Sequence, residues 1–315
     1  LPLSAAQDKP ARPTVNAPKG NSVTQLVPTL SEIAPAYDVL YCDLWGCLHN
    51  GKALFPEAVA ALQAFRRRGG AVVLLTNAPR TRHAVKRRLD AMGLPEDAYD
   101  VIAASGDATQ VAMLQGAAGR KLWHLGPGKD EDLFTLIPDW LQDQPPITRV
   151  ALDEAEGILC TGPFDEFTET PEDYRARFLS AKVRGLRMLN ANPDLVVDVG
   201  DTRIYCAGAL AQLYEAMGGE VLSFGKPYPP IYDFARNQLA ARGITYDPDA
   251  VLAIGDGVRT DIRGAQAEGI DAVFVTGGLE SHRFGADPAN PDPQSLADWL
   301  AAEDLHPRYA MGRLR

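Results

Sequence analysis

Four stretches, far apart in the chain, each place a polar side chain at the end of a short aliphatic run. Asp43 follows Val39 to Cys42, Thr76-Asn77 follow Val72 to Leu75, Lys226 comes just after Val221 to Phe224, and Asp256 follows Val251 to Ile254. Such runs read as buried strands, and in an open parallel sheet ligands bind outside the carboxyl ends of the strands. The four groups are therefore expected around one crevice. Their shared chemistry would be attack by a carboxylate on phosphorus, giving an aspartyl phosphate that water later removes. A dianionic phosphate beside aspartates is repelled unless a hard divalent cation and a lysine neutralise the site, which gives Asp43 and Asp256 the first task and Lys226 the second. Taken singly, a strand-terminal Asp is more often a cap or turn residue, and Asp256 beside Gly257 is an ordinary turn signal. The ordered set of four favours chemistry.

The elements that must position these groups alternate from Asp38 onward. Pro56 to Arg68 predicts a helix with Pro in its first turn and Gly69 just past its end. Thr81 to Met92 predicts a second helix, closed by Gly93, and Val101 to Ala104 a third strand. Strand, helix, strand in succession yields parallel strands joined by right-handed crossovers, so the expected class is α/β with a Rossmann-like parallel sheet. Between the two halves lie further signals at Lys121 to Leu125, Arg149 to Leu152, Pro171 to Lys182 and Ala207 to Met217. About 100 residues can form their own core. The expected division is a flexible arm over 1–34, a catalytic core over 35–116 and 221–315, and an inserted α/β domain over 117–220. The stretch Glu280 to Arg315 is helix-capable and otherwise uninformative.

Composition narrows the function classes. The 315 residues carry a formal charge of -10, which opposes a broad nucleic-acid surface built of clustered Lys and Arg. Apolar residues make up 46% but are dispersed, so no membrane-spanning segment is expected. Four cysteines without a CxxC pairing, Cys42, Cys47, Cys160 and Cys206, read as reduced packing thiols. Residues 1 to 34 are rich in Pro, Ala, Ser and Thr and lack the apolar stretch of a secretory signal, so a cytoplasmic location is the default expectation.

Four segments carry a resemblance: Asp43-Leu44-Trp45-Gly46, Thr76-Asn77-Ala78-Pro79-Arg80, Gly225-Lys226-Pro227, and Gly255-Asp256-Gly257-Val258-Arg259-Thr260-Asp261. In order and spacing they resemble the four motifs of haloacid dehalogenase-like (HAD) phosphatases, across most of residues 36 to 277. Asn192-Pro193-Asp194 followed by Ala207-Gly208-Ala209-Leu210 is similar to the class IIA branch, in which a C2-type α/β cap follows the third core strand. The resemblance implies hydrolysis of a small phosphorylated metabolite with Mg2+ as cofactor. It makes Asp43 the nucleophile and a metal ligand, Asp256 a direct ligand, and Trp45 a ligand through its backbone carbonyl. Thr76, with the backbone N–H groups of Asn77 and Ala78, would bind the transferring phosphoryl group. Lys226 would pair with Asp43 and the phosphate, and Asp261 would hold the metal's waters or Lys226 from outside the ligand set. Arg80 sits where a cation can reach substrate. Cap-mediated homodimers occur in this branch, but no residue pattern fixes a contact surface.

One position departs from the family. HAD phosphatases carry a second Asp two residues after the nucleophile, where it protonates the leaving alcohol and then activates water; here that residue is Trp45. An indole N–H donates a hydrogen bond but exchanges no proton near neutral pH. Losing such a group typically costs ~10²- to 10⁴-fold on the affected steps. Aryl or acyl phosphates, whose leaving groups need no proton, should suffer least at the first step. His49, or a group from the cap, would have to replace the acid. The cap loop from Asn192 to Arg203 holds Asp194, Asp198, Asp201 and Arg203, a set that favours a substrate with hydroxyls or a cation unless it is merely a solvated acidic loop. Two other readings keep the residues but change the function: a sensor that binds metal and a phosphorylated ligand, and a receiver-like module phosphorylated on Asp43. The intact set of Asp43, Thr76, Lys226 and Asp256 argues against the first, and the inserted domain against the second.

Overall fold

The computed structural model describes residues 23–199 and 202–315. The chain enters on β1 (Gln25–Leu26), then runs through β2 (Val39–Cys42), α1 (Pro56–Arg67), β3 (Ala71–Thr76), α2 (Arg82–Ala91), β4 (Val101–Ala104) and α3 (Ser105–Leu114). Next come β5 (Lys121–Leu125), α4 (Asp132–Thr135), β6 (Thr148–Arg149), β7 (Gly157–Cys160), α5 (Arg175–Val183), β8 (Arg187–Asn190), β9 (Val196–Val199), β10 (Thr202–Tyr205), α6 (Ala207–Ala216) and β11 (Glu220–Ser223). It closes with α7 (Pro229–Ala241), β12 (Val251–Gly255), α8 (Arg263–Glu268), β13 (Asp271–Val275), α9 (Pro293–Ala302) and β14 (Tyr309–Met311).

These strands build two parallel sheets. The larger has the order β1-β14-β13-β12-β2-β3-β4 and the smaller β11-β8-β7-β5-β6, while β9 and β10 form a separate antiparallel hairpin. The expected α/β parallel-sheet class is borne out. Strands buried on both faces read as continuous apolar runs. In β2, Val39 and Tyr41 join the cluster on one face of the sheet, and Leu40 and Cys42 join the cluster on the other. All six residues of β3 are likewise buried.

The smaller sheet is held from both sides. Trp123, Ile158 and Met188 pack with Tyr174, Phe178 and Tyr214 into an apolar cluster that includes residues of α5 and α6. The alternating residues Leu122, Leu159 and Leu189 point the other way and share one cluster with Tyr41, Val73 and Ile231. Apolar packing thus runs continuously from the larger sheet to the smaller.

Several expectations need correction. Val221 to Phe224 does not resume the larger sheet: β11 pairs with β8, with Val221 opposite Met188. An aliphatic run before a glycine signals a strand but carries no information about its partner. The signal at Arg149 to Leu152 resolves into the end of β6 and a tight helical turn at Leu152–Glu154. The arm assigned to 1–34 is ordered where it is described, because β1 adds to the sheet edge beside β14 and Val27, Leu30 and Ile33 are buried. Those three apolar residues outweigh the Pro-rich composition around them; residues 1–22 of that arm lie outside the described residues. The stretch from Glu280, thought uninformative, supplies α9 and the strand β14.

Candidate active site

In the larger sheet β2 lies between β12 and β3, with β13 and β14 continuing outward on one side and β4 on the other. The strand order therefore reverses at β2 and β12, the place where a crevice opens at the carboxyl ends of an open sheet. Asp43 directly follows β2, Asp256 directly follows β12, and Thr76 ends β3. Their closeness is a consequence of strand order.

Glycines make the room these side chains need. Gly46 has a φ of +72°, and a Cβ there would lie 2.0 Å from Asp256 Oδ2. A Cβ at Gly278 would lie 2.1 Å from the same oxygen, and one at Gly255 would lie 2.0 Å from Asp261 Cγ. The carboxylates occupy volume that any other residue would fill.

Lys226 is the buried hub of the site. Its Nζ donates to Asp43 Oδ1 at 2.5 Å and to Asp261 Oδ1 at 2.7 Å. Asp261 lies in a wide helical turn, Val258–Ile262, and its Oδ2 accepts the Gly257 N–H at 3.1 Å. Asp256 Oδ2 accepts the Leu279 N–H at 2.8 Å. Burial pushes the Asp43 carboxyl up while Lys226 pulls it down, and the net direction is upward. Asp256 is pushed up by burial and by its neighbours Asp43 and Asp261. Burial alone would lower the Lys226 ammonium, but Asp261 and Asp43 outweigh it and hold the pKa well above the ordinary lysine range. Lys226 bonds two of these three buried carboxylates, which leaves local negative charge for a cation to match.

The donor set fits a hard cation. Ligand atoms of Asp43, Asp256 and Cys47 lie within 4.8 Å of one another. The two carboxylates suit Mg2+, whereas burial pushes the Cys47 thiol well above its usual range and keeps it a neutral, soft group.

The Thr76 to Arg80 stretch divides its labour differently from expectation. The Thr76 oxygen accepts the Ala78 N–H at 3.2 Å, so that amide is already engaged. The Asn77 side chain ties three parts of the chain together. Its Oδ1 accepts the Lys226 N–H at 2.7 Å, and its Nδ2 donates to the Lys226 carbonyl at 3.1 Å and to Asp194 Oδ1 at 2.9 Å. Arg80 lines the cavity, and its Nε donates to the buried Asp130 at 2.7 Å. Asp130 and Asp194 both come from the segment between α3 and α7, so these bonds join it to the site loops. Neither partnership was visible in the sequence, because hydrogen bonds between residues 50 and 117 positions apart leave no local pattern.

Trp45 is held on three sides. Its ring meets His49 edge-on with centroids 5.3 Å apart, and the Arg88 guanidinium lies 5.3 Å from its centroid. At Gly51, with φ +85°, a Cβ would come within 2.3 Å of the indole. His49 makes a poor replacement acid. Its Nδ1 accepts the Gly51 N–H at 3.0 Å, and burial together with Arg88 lowers its pKa to about 4. Near neutrality it carries no acidic imidazolium proton.

A cavity of about 280 Å³ opens over these groups, lined by Asp43, Thr76, Lys226 and Asp256 below and by Phe167, Val197, Ile204 and Tyr205 from the intervening segment. The expected acidic set over this cavity is dispersed. Asp194 is bound to Asn77, Asp198 pairs with Arg203 across the hairpin at 2.8 Å, and Asp201 lies outside the described residues. Among the described residues, no helix is long and apolar enough to cross a membrane.

Known proteins resemble this chain in sequence and fold. Residues 40–136 match the family model described as haloacid dehalogenase-like hydrolase, and residues 223–302 match one described as HAD-hydrolase-like. The ribonucleotide monophosphatase NagD of Escherichia coli is 25% identical over 243 residues, covering 76% of this chain and 88% of its own. The glycerol phosphate phosphatase of Mycobacterium tuberculosis, solved in complex with magnesium, shares the fold at 22% identity and a TM-score of 0.57, over 84% of this chain and 78% of that one. A haloacid dehalogenase-like hydrolase of Brucella suis matches at 35% identity with a TM-score of 0.78, over 92% of this chain and 100% of that one. With that identity over nearly the whole chain, and with four motifs meeting at one sheet reversal, this protein belongs to the haloacid dehalogenase-like hydrolases, in their class IIA branch.

Proposed function

We propose that this protein hydrolyses phosphate monoesters of small metabolites through an aspartyl phosphate on Asp43, with Mg2+ as cofactor. The single observation that carries the reading is the buried contact of Lys226 with both Asp43 and Asp261 beneath the cavity, with Asp256 on the adjacent strand. Family membership and the phosphatase activity of the relative NagD agree with it.

In this mechanism an Asp43 carboxylate oxygen attacks phosphorus. Mg2+ held by Asp43 and Asp256, with the Trp45 carbonyl as a further ligand, would supply charge neutralisation for the phosphoryl oxygens. Lys226 adds a second positive charge and fixes the attacking carboxylate by hydrogen bonding. The Thr76 oxygen accepts the Ala78 N–H, which leaves its own hydrogen free to be donated to a phosphoryl oxygen. The Asn77 N–H would serve the same charge. Asp261 anchors Lys226 from behind, and Asn77 sets the height of the Lys226 loop. Residues of the smaller sheet and the β9-β10 hairpin act as a cap that excludes water and meets the leaving group.

The test is magnesium-dependent release of phosphate from aryl phosphates, with Asp43→Asn as the blank. Turnover in the unmodified protein, abolished by chelator and reduced by at least ~10³-fold in the variant, is the expected result. Equal release by both proteins sinks the reading.

A further inference from the structure

Two independent features of the cavity bear on the leaving group. The first is the loss of the family's acid at position 45. Trp45 stands where the family carries its proton donor, the His49 ring packs edge-on against Trp45 with its Nδ1 accepting the Gly51 N–H, and Asp194 already accepts from Asn77. The second is the face the hairpin turns to the cavity. In β9 and β10 the pairs Val197 with Ile204 and Val199 with Thr202 share one side, and Asp198 with Arg203 the other. Val197, Val199 and Ile204 line the cavity, joined by the end pair Val196 and Tyr205, whereas Asp198 and Arg203 are half exposed, pair with each other and do not line it. Trp45, Leu89 and Phe167 continue the apolar wall. Of the charged groups on that wall, Lys129 pairs with Glu166 and Arg80 with Asp130, while Arg88 lies over the Trp45 ring and donates to the Gly51 carbonyl.

We infer that the cavity selects monoesters whose leaving group is an apolar aryl alcohol acidic enough to depart as its anion, and that it discriminates against polyhydroxylated alkyl phosphates. The inference rests on the phosphatase reading above. In the first step the Asp43 oxygen forms a bond to phosphorus while the aryl oxygen–phosphorus bond breaks. The electron pair leaves on the phenolate oxygen, so no donor is needed, and the apolar wall takes the ring. In the second step water adds to phosphorus and the Asp43 carboxylate departs with its electron pair. Both protons of the water leave on the phosphate, as dihydrogen phosphate. With no base at position 45, this second step is the slow one for good leaving groups.

The experiment measures kcat/KM of the unmodified protein, with Mg2+, for substituted phenyl phosphates of graded phenol acidity and for glycerol phosphate and a sugar phosphate. The expected result is an aryl preference of at least ~10²-fold, steepening with phenol acidity. In Trp45→Asp that preference should narrow by at least tenfold through a gain on the alkyl esters. Ile204→Ser should raise KM for phenyl phosphates and leave the slope against phenol acidity unchanged. Alkyl esters turned over as fast as aryl esters by the unmodified protein would overturn the inference and leave the phosphatase reading standing. So would an Asp194→Asn variant whose alkyl rate alone collapses, because Asp194 would then be the acid. Absence of any Asp43-dependent phosphate release, from aryl and alkyl esters alike, removes the phosphatase reading itself.

Discussion

Lys226 shows how a residue read for its charge acquires a second role through burial. It is 2% exposed and sits between two carboxylates that are themselves buried. Replacing it by Met keeps much of the volume but leaves Asp43 and Asp261 without their cation. Breaking such a buried pair typically costs about 3–5 kcal/mol. Lys226→Met is therefore expected to lower stability by that order in urea denaturation and to abolish aryl-phosphate turnover. Retained turnover would mean that Mg2+ alone neutralises the phosphate. The sequence made Lys226, Asp43 and Asp256 legible because each stands beside a glycine or at a strand end, and Asp261 through its spacing of five residues from Asp256. The pairing of Arg80 with Asp130, fifty residues on, left no mark in the second motif.

Helices α2 and α3 follow neighbouring strands, and Asp107 in the first turn of α3 reaches across to the start of α2. Its Oδ2 accepts the Arg82 N–H at 2.7 Å. Burial raises its pKa from 3.8 to about 7, with Arg82 opposing the shift. The folded state then binds a proton that the unfolded chain has already lost between those two values. Stability from this group is full below about pH 4 and declines as pH rises toward 7, by at most about 1.4 kcal/mol per unit. Asp107→Asn is expected to flatten that decline, because an amide oxygen still accepts from Arg82 without ionising. An unchanged stability profile between pH 4 and 7 would show that Asp107 is already ionised throughout. At this scale the helices and strands with strong periodicity were readable, whereas β11 was assigned to the wrong sheet because pairing is set by neighbours.

Across the whole molecule, residues 25–37 and 308–315 complete the larger sheet together. Gln25 N–H donates to the Arg308 carbonyl at 3.0 Å, Val27 N–H to the Ala310 carbonyl at 2.9 Å, and Leu30 N–H to the Arg315 carbonyl at 2.7 Å. Leu30 is 2% exposed in the apolar cluster that also holds Leu40 and Ile254 beneath the site. Leu30→Ala is expected to cost about 2–5 kcal/mol, measured as a lowered urea midpoint with unchanged slope. A change within a few tenths of a kcal/mol would show that this segment is dispensable to the core.

Strand-forming runs, the polar residue closing each run and the glycines beside them are local features, so the sequence by itself determined the α/β class and picked out Asp43, Lys226 and Asp256 as candidates, with Trp45 where the family carries its acid. Which strands lie side by side, which face the β9-β10 hairpin turns inward and which cations are already paired depend on contacts between residues distant in the chain. Packing decided those, because burial and hydrogen bonding are shared properties of neighbours that no single stretch of sequence contains. That is why Asp198 and Arg203 seemed to belong to the cavity, while Val197 and Ile204 line it.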